Sequence, residues 1–141
     1  MIKRSLLFDA SSILTLVREL GEKAPDELLE GSTISLAYYE LGNALWRECF
    51  LLKRISKEEA EKLLRAMFAI VQAMDVALIE NDDEANDILR KAYDFNLTYY
   101  DSAYVVQAYK TEKTLVTEDK KLAEAAEKSS IKTLTSSAFI H

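Results

Sequence analysis

The chain has 141 residues, 49% hydrophobic and 30% charged, a length and composition typical of one globular domain that exclude a disordered chain. Its 18 basic and 24 acidic residues give a formal net charge of −6, which argues against a broad basic surface for binding duplex nucleic acid. Because Cys49 and His141 are the sole residues of their types, a disulfide framework and a metal site built from histidines and cysteines are both excluded.

Short apolar runs alternate along the chain with longer segments of helical periodicity, a pattern typical of an α/β domain with a parallel sheet. In chain order, the predicted elements are strand 5–8, helix 12–20, a short helix from Pro25, strand 33–36, helix 37–52, helix 56–74, strand 76–79, helices 82–93 and 100–110, strand 114–116, helix 120–128 and strand 131–134. Ser11 or Ser12 is the expected cap of the first helix, and Ser56 with Glu59 fits a capping box at residue 56. We therefore expect a central, mostly parallel sheet of four to five strands flanked by helices.

The sequence also carries an expectation about location. No apolar run is long enough to span a bilayer, and the N-terminus has no signal-peptide core. We expect one cytoplasmic domain over residues 1–141, with no membrane association.

Four acidic residues stand where predicted strands end or predicted helices begin. Asp9 directly follows the first strand and Asp119 comes just after the fourth, while Glu40 and Asp101 lie near the starts of two helices. Because ligands of an open parallel sheet bind beyond the carboxyl ends of its strands, these acids are expected to converge on one edge. Asp9, Glu40 and Asp101 each follow an apolar run, and a carboxylate buried there needs a cation or hydrogen bonds to satisfy it.

A purely structural interpretation is open for three of the four acids. Asp9, Asp101 and Asp119 could each stabilise a helix N-terminus by capping it or by facing its dipole. Glu40 caps nothing in the middle of an apolar run. On an ideal helix, Asn43 and Arg47 lie within about 60° of Glu40 and form a polar stripe with it.

Three aromatic residues share another face of that same predicted helix. Tyr39, Trp46 and Phe50 fall within about 40° of one another on an ideal helix. If exposed, they would form a surface for a partner protein. The alternative is that they pack against the helix that begins at Ser56.

The runs that carry the four acids resemble those of PIN-domain ribonucleases, and most closely the VapC-type toxins of prokaryotic toxin–antitoxin pairs. The matching runs are LLFDASSIL, YYELGNALWR, LTYYDSAY and LVTEDKKL. Their order and approximate spacing match from Asp9 to Asp119, which is nearly the whole chain. The resemblance implies a single PIN-like domain and cleavage of single-stranded RNA that depends on Mg²⁺, with Mn²⁺ as a substitute.

The resemblance also assigns roles to individual residues. It places the four family acids on Asp9, Glu40, Asp101 and Asp119, as metal ligands and catalytic groups. Three of them would bind metal directly or through water, whereas Glu40 would bind a second ion or orient the attacking water. The supporting polar positions fall on Ser11, Asn43 and Thr117. Either Glu118 or its neighbour Asp119 could face the metal, and the Thr-x-Asp pattern favours the latter.

Partners follow from the resemblance as well. It implies an RNA substrate, a homodimer, and an antitoxin whose tail lies over the site and places a basic residue among the acids. Two other functions stay open. One is a catalytically inactive PIN-fold module that binds RNA or protein, and the other is a PIN nuclease of RNA processing that has no antitoxin.

Overall fold

A five-stranded sheet forms the framework of the computed structural model, which describes residues 2–140. The strands are β1 (Leu6–Phe8), β2 (Ser32–Ile34), β3 (Asp75–Ala77), β4 (Thr114–Val116) and β5 (Thr133–Leu134). They pair in the order β3-β2-β1-β4-β5, and all four pairings are parallel. The expected α/β architecture is confirmed, and the sheet has five strands, the upper end of the expected four to five.

Seven α-helices connect and cover the strands in the described part of the chain. They are α1 (Ala10–Leu20), α2 (Ala24–Leu28), α3 (Leu36–Trp46), α4 (Lys57–Ala73), α5 (Asp82–Phe95), α6 (Tyr99–Thr111) and α7 (Lys120–Lys128). A π-helical turn, Arg47–Leu51, continues α3, and 3₁₀ turns lie at Lys3–Ser5, Gly21–Lys23 and Ser136–Phe139. Among residues 2–140, no helix combines the length and the apolar character that crossing a membrane requires.

The kind and order of the predicted elements are correct, but some bounds are wrong. The helix expected over 37–52 is α-helical only as far as Trp46, because the chain widens into the π-helical turn there. The third strand ends at Ala77 rather than at residue 79. Leu78 and Ile79 continue the apolar run but are 67% and 50% exposed, so they belong to the surface beyond the edge strand.

Two hydrophobic cores cover the two faces of the sheet. Because side chains alternate along a strand, Leu6 and Phe8 of β1 point to one face and Leu7 to the other. The first core contains residues of α1, α2, α3 and α4, whereas the second contains residues of α6 and α7. With both faces covered, the carboxyl edge of the sheet is the natural place for a ligand.

The strand order switches direction between β1 and β4. The chain builds outward from β1 to β2 and β3, then returns to place β4 on the other side of β1 and β5 beyond it. Phe8 pairs with Val116, and the backbone N–H of Asp9 donates to the Val116 carbonyl at 3.1 Å. Asp9 and Thr117 therefore lie side by side at the switch point, where open α/β sheets bind their ligands.

Candidate active site

Asp9 occupies the centre of this edge and is almost completely buried. It is the N-cap of α1, and its carboxylate accepts hydrogen bonds from the Ser12 N–H at 2.9 Å and the Ser11 hydroxyl at 2.7 Å. The prediction that Ser11 or Ser12 caps this helix is therefore wrong. Burial raises the pKa of the Asp9 carboxyl above its ordinary value of 3.8, and its hydrogen bonds oppose that rise.

Thr117 joins the ends of β1 and β4 through its hydroxyl. This group donates to the second carboxylate oxygen of Asp9 and accepts a hydrogen bond from the Asp119 N–H at 3.0 Å. Ser11 makes a parallel connection, because its hydroxyl also accepts from the Glu118 N–H at 3.1 Å. Both predicted supporting hydroxyls thus contact the Asp9 carboxylate and orient it.

Asp119 and Glu118 point to different parts of the molecule. Asp119 caps α7 by accepting from the Lys121 and Leu122 N–H groups at 2.9 and 3.2 Å, and its charge raises the pKa of Asp101. The Glu118 carboxylate instead accepts from the Ser136 N–H at 2.7 Å, at the last 3₁₀ turn. Of the two neighbours, Asp119 is the one whose charge raises the pKa of another predicted site acid, Asp101.

Asp101 lies in the first turn of α6 without capping it. Thr98 is the N-cap, and its hydroxyl accepts the hydrogen bond from the Asp101 N–H at 3.1 Å. Burial raises the pKa of the Asp101 carboxyl, and the charges of Asp119 and Asp9 raise it further, against a smaller lowering by Lys121. The carboxylate is therefore free of a capping role and is electrostatically coupled to two other acids.

Glu40 is half-buried on α3 and has a partner that the sequence did not indicate. Its Oε1 accepts a hydrogen bond from the Tyr104 hydroxyl at 2.7 Å. Burial raises the pKa of the Glu40 carboxyl and this hydrogen bond opposes the rise. Two neighbouring acids, Asp101 and Asp9, raise it further. Burial and the charge of Glu40 also raise the pKa of Tyr104 well above its ordinary value of 10.0, so its hydroxyl stays protonated.

Asn43 and Arg47, the other residues of the predicted polar stripe, are both exposed. Within residues 2–140 neither side chain hydrogen-bonds to the Glu40 carboxylate. Arg47 also begins the π-helical turn, so the ideal helical angles that placed it beside Glu40 do not apply. In the sequence, Tyr104 could have been identified as a candidate site residue because it lies one helical turn after Asp101 on α6.

Capping and helix dipoles account for only part of the placement of the four predicted acids. Asp9 and Asp119 do cap helices, as the structural interpretation held, but Asp9 also raises the pKa of Glu40 and Asp101, and Asp119 raises that of Asp101. Asp101 caps nothing but lies in the first turn of α6, where the helix dipole favours a negative charge, and Glu40 caps nothing. A structural role at helix N-termini and a role in binding metal are therefore compatible for the acids of this site.

The donor set fits a hydrated divalent cation better than a closed metal cage. Among residues 2–140, no three acidic, histidine or cysteine side chains form a ready-made ligand group for one ion, and His141 lies outside the described residues. Carboxylate and hydroxyl oxygens are the ligands that Mg²⁺ and Mn²⁺ prefer, and Mg²⁺ keeps several of its waters. A bound cation would offset the cost of burying the Asp9 carboxylate and its repulsion of the Glu40 and Asp101 carboxylates.

The three aromatic residues predicted to share a helix face are on the surface, two on α3 and Phe50 in the π-helical turn that follows it. Tyr39, Trp46 and Phe50 are 78%, 50% and 67% exposed, and the rings of the last two stack with centroids 6.0 Å apart. The alternative that these three pack against α4 is wrong. That contact is made by Tyr38, whose ring centroid lies 5.1 Å from that of Phe68.

The doubly wound strand order, with acids at its switch point, fits the PIN-like domain that the resemblance implied. The crystal structure of PAE2754 from Pyrobaculum aerophilum has the same fold, with a TM-score of 0.78, 24% sequence identity, and coverage of 96% of this chain and 93% of that one. No family model matches the sequence.

Two proteins of Pyrobaculum aerophilum are similar in sequence over most of their length. Ribonuclease VapC3 is 32% identical in an alignment 126 residues long that covers 84% of this chain and 92% of that protein. Exonuclease VapC9 is 30% identical in an alignment 118 residues long that covers 82% of this chain and 81% of that protein. This chain belongs to the VapC family of PIN-domain nucleases, as the resemblance of its four acidic runs implied.

Proposed function

We propose that this protein is a Mg²⁺- or Mn²⁺-dependent endoribonuclease that hydrolyses phosphodiester bonds in single-stranded RNA and is the toxin of a toxin–antitoxin pair. The observation that carries the proposal is the placement of four acids at the carboxyl edge of the sheet, where Thr117 connects Asp9 to Asp119 and Tyr104 connects Glu40 to α6, the helix of Asp101. The relative named a ribonuclease supports RNA as the substrate. An inactive binding module would have no need of four acids whose mutual repulsion costs stability.

The residues of the site divide the chemical work among them. Asp9, Asp101 and Asp119 would hold the cation, directly or through water. Bound there, the cation lowers the pKa of a water molecule and neutralises phosphate oxygens. The hydroxyls of Ser11 and Thr117 keep the Asp9 carboxylate in one orientation.

Glu40 has the environment of a group that handles the attacking water. Its raised pKa makes the carboxylate a better proton acceptor than an exposed glutamate, and Tyr104 binds only Oε1. It would orient the water or bind a second ion. Either role requires Glu40 to keep its charge when RNA is bound.

The test is a cleavage assay on linear and circular single-stranded RNA, with Mg²⁺ or Mn²⁺ against EDTA. A circular RNA has no ends, so it separates internal cleavage from the end-directed activity implied by the name of the exonuclease relative. We expect wild type to cut both RNAs with metal and neither in EDTA, and Asp9→Asn to cut neither. Glu124→Gln removes an exposed acid from α7 and serves as the control with full activity. Cleavage in EDTA, or by purified Asp9→Asn protein, would refute the proposal.

We also propose a homodimer and an antitoxin partner, with the stacked Trp46 and Phe50 as part of a partner surface. Leu51 and Leu52 extend this surface, at 52% and 40% exposure. A basic antitoxin residue would complement the uncompensated negative charge of the acids. A short basic protein encoded next to this one would favour the toxin over an RNA-processing nuclease. The cytoplasm, where the cellular RNA is, is the proposed location.

A further inference from the structure

We propose that Tyr104 is a positioning residue that holds the Glu40 carboxylate in its working orientation. The inference rests on the proposed function and deepens it, because it concerns the same reaction. Tyr104 lies on α6, is 1% exposed, and donates to Glu40 Oε1 at 2.7 Å. The two residues are 64 positions apart in the chain.

The hydrogen bond connects the two layers of the fold at the carboxyl edge of the sheet. The Tyr104 ring packs in the core formed with α6 and α7, whereas Leu41 and Leu45 anchor α3 in the opposite core. Glu40 therefore projects from one layer and is held by a hydroxyl from the other.

Packing alone does not explain a tyrosine at this position. A phenylalanine fills the same apolar volume without bringing a polar oxygen into the core, where an unpaired hydroxyl is costly. The hydroxyl is instead paired with a carboxylate that the reaction uses. Because only Oε1 is bound, the hydrogen bond restricts rotation of the Glu40 side chain and leaves the second oxygen available.

Tyr104→Phe removes the hydroxyl and keeps the ring. We expect kcat to fall about 10- to 100-fold, the cost of a misoriented catalytic group, with KM for RNA changed less than about twofold. The matched control is Tyr99→Phe on the same helix, which removes a hydroxyl that donates to the Ala85 carbonyl at 3.1 Å. This variant should keep the wild-type kcat.

A double-mutant cycle with Glu40→Gln separates positioning from a structural effect. If Tyr104 acts through Glu40, Tyr104→Phe lowers kcat much less in the Glu40→Gln background than in wild type. Thermal melts of the same four proteins in EDTA give a readout without metal or activity, and the two substitutions should be coupled there as well. Equal losses of kcat in both backgrounds, or a wild-type kcat for Tyr104→Phe, would overturn the inference.

The same experiment keeps the two proposals distinguishable. A wild-type protein without metal-dependent cleavage contradicts the proposed function, while coupled melts still show the contact between Tyr104 and Glu40. An active wild type with an equally active Tyr104→Phe variant contradicts the positioning role alone.

Discussion

Replacing Asp9 by asparagine should stabilise the metal-free protein while removing its response to metal. The Asp9 carboxylate is 5% exposed, burial raises its pKa, and its charge also raises the pKa of Glu40 and Asp101. A neutral amide of the same shape removes both the desolvation cost and the repulsion. Asparagine caps helices as well as aspartate does, so the hydrogen bond from the Ser12 N–H is kept. The Asp9→Asn variant should therefore melt above wild type in EDTA.

The magnitude of the metal effect follows from mass action. Mn²⁺ at about 100 times its dissociation constant stabilises a protein by about 2.7 kcal/mol. For 141 residues the unfolding entropy is about 0.3 kcal/mol/K, so wild type should gain about 9 °C in Tm. The Asp9→Asn variant should gain little, because it lacks one of the charges that bind the ion.

The assay is a set of thermal melts with EDTA and with excess Mn²⁺ for wild type, Asp9→Asn and Asp9→Ala. Alanine removes both the charge and the helix cap. Loss of the cap should lower the free energy of unfolding by about 1 kcal/mol relative to asparagine, which is about 3 °C in Tm for a chain of this length. If Asp9→Asn melts below wild type in EDTA, and wild type does not respond to Mn²⁺, Asp9 acts as a helix cap only. The metal-site assignment would then be wrong.

Three further predictions concern activity, partners and pH. Asp101→Asn should abolish RNA cleavage, and Glu40→Gln and Asp119→Asn should lower its rate by at least about 10²-fold. All three variants should keep the far-UV circular dichroism spectrum of the native fold, and near-normal cleavage rates would contradict the assignment of these acids. Trp46→Ala should weaken homodimer or antitoxin binding by about 2 kcal/mol. Light scattering measures the dimer and calorimetry the antitoxin complex, and unchanged binding or an unfolded variant would contradict the proposed partner surface. Asp9, Glu40 and Asp101 have pKa values in the folded metal-free protein above their ordinary values of 3.8 and 4.5, so just above those values they bind more protons in the folded protein than in the unfolded chain. The free energy of unfolding should therefore fall as pH rises through that range, and it should fall less for Asp9→Asn than for wild type. Denaturant titrations in EDTA measure this, and an equal pH dependence in the two proteins would refute the explanation.

The order of the elements and the four acids could be predicted from the sequence because both are local. Residues 114–116 and 120–128 match β4 and α7, since a short apolar run and a helical repeat with few breaks leave little choice of conformation. Asp9 directly follows such a strand, and Asp119 comes three residues after another. Parallel strands end at one edge, so the local pattern also places these acids together. The family resemblance adds the prediction that these acids bind metal and take part in catalysis.

Tertiary structure alone decided which groups the acids contact and which apolar residues are exposed. Asp9 receives a hydrogen bond from Thr117, 108 positions away, because β1 and β4 are neighbours, and no periodicity within one element encodes that pairing. Glu40 is held by Tyr104 rather than by its neighbours on α3, because two helices from opposite layers approach each other at the sheet edge. Helical angles placed Trp46 on a face of α3, but whether that face is covered depends on where α4 lies. Local pattern determines element type and position, whereas contacts between distant residues depend on strand order and helix packing.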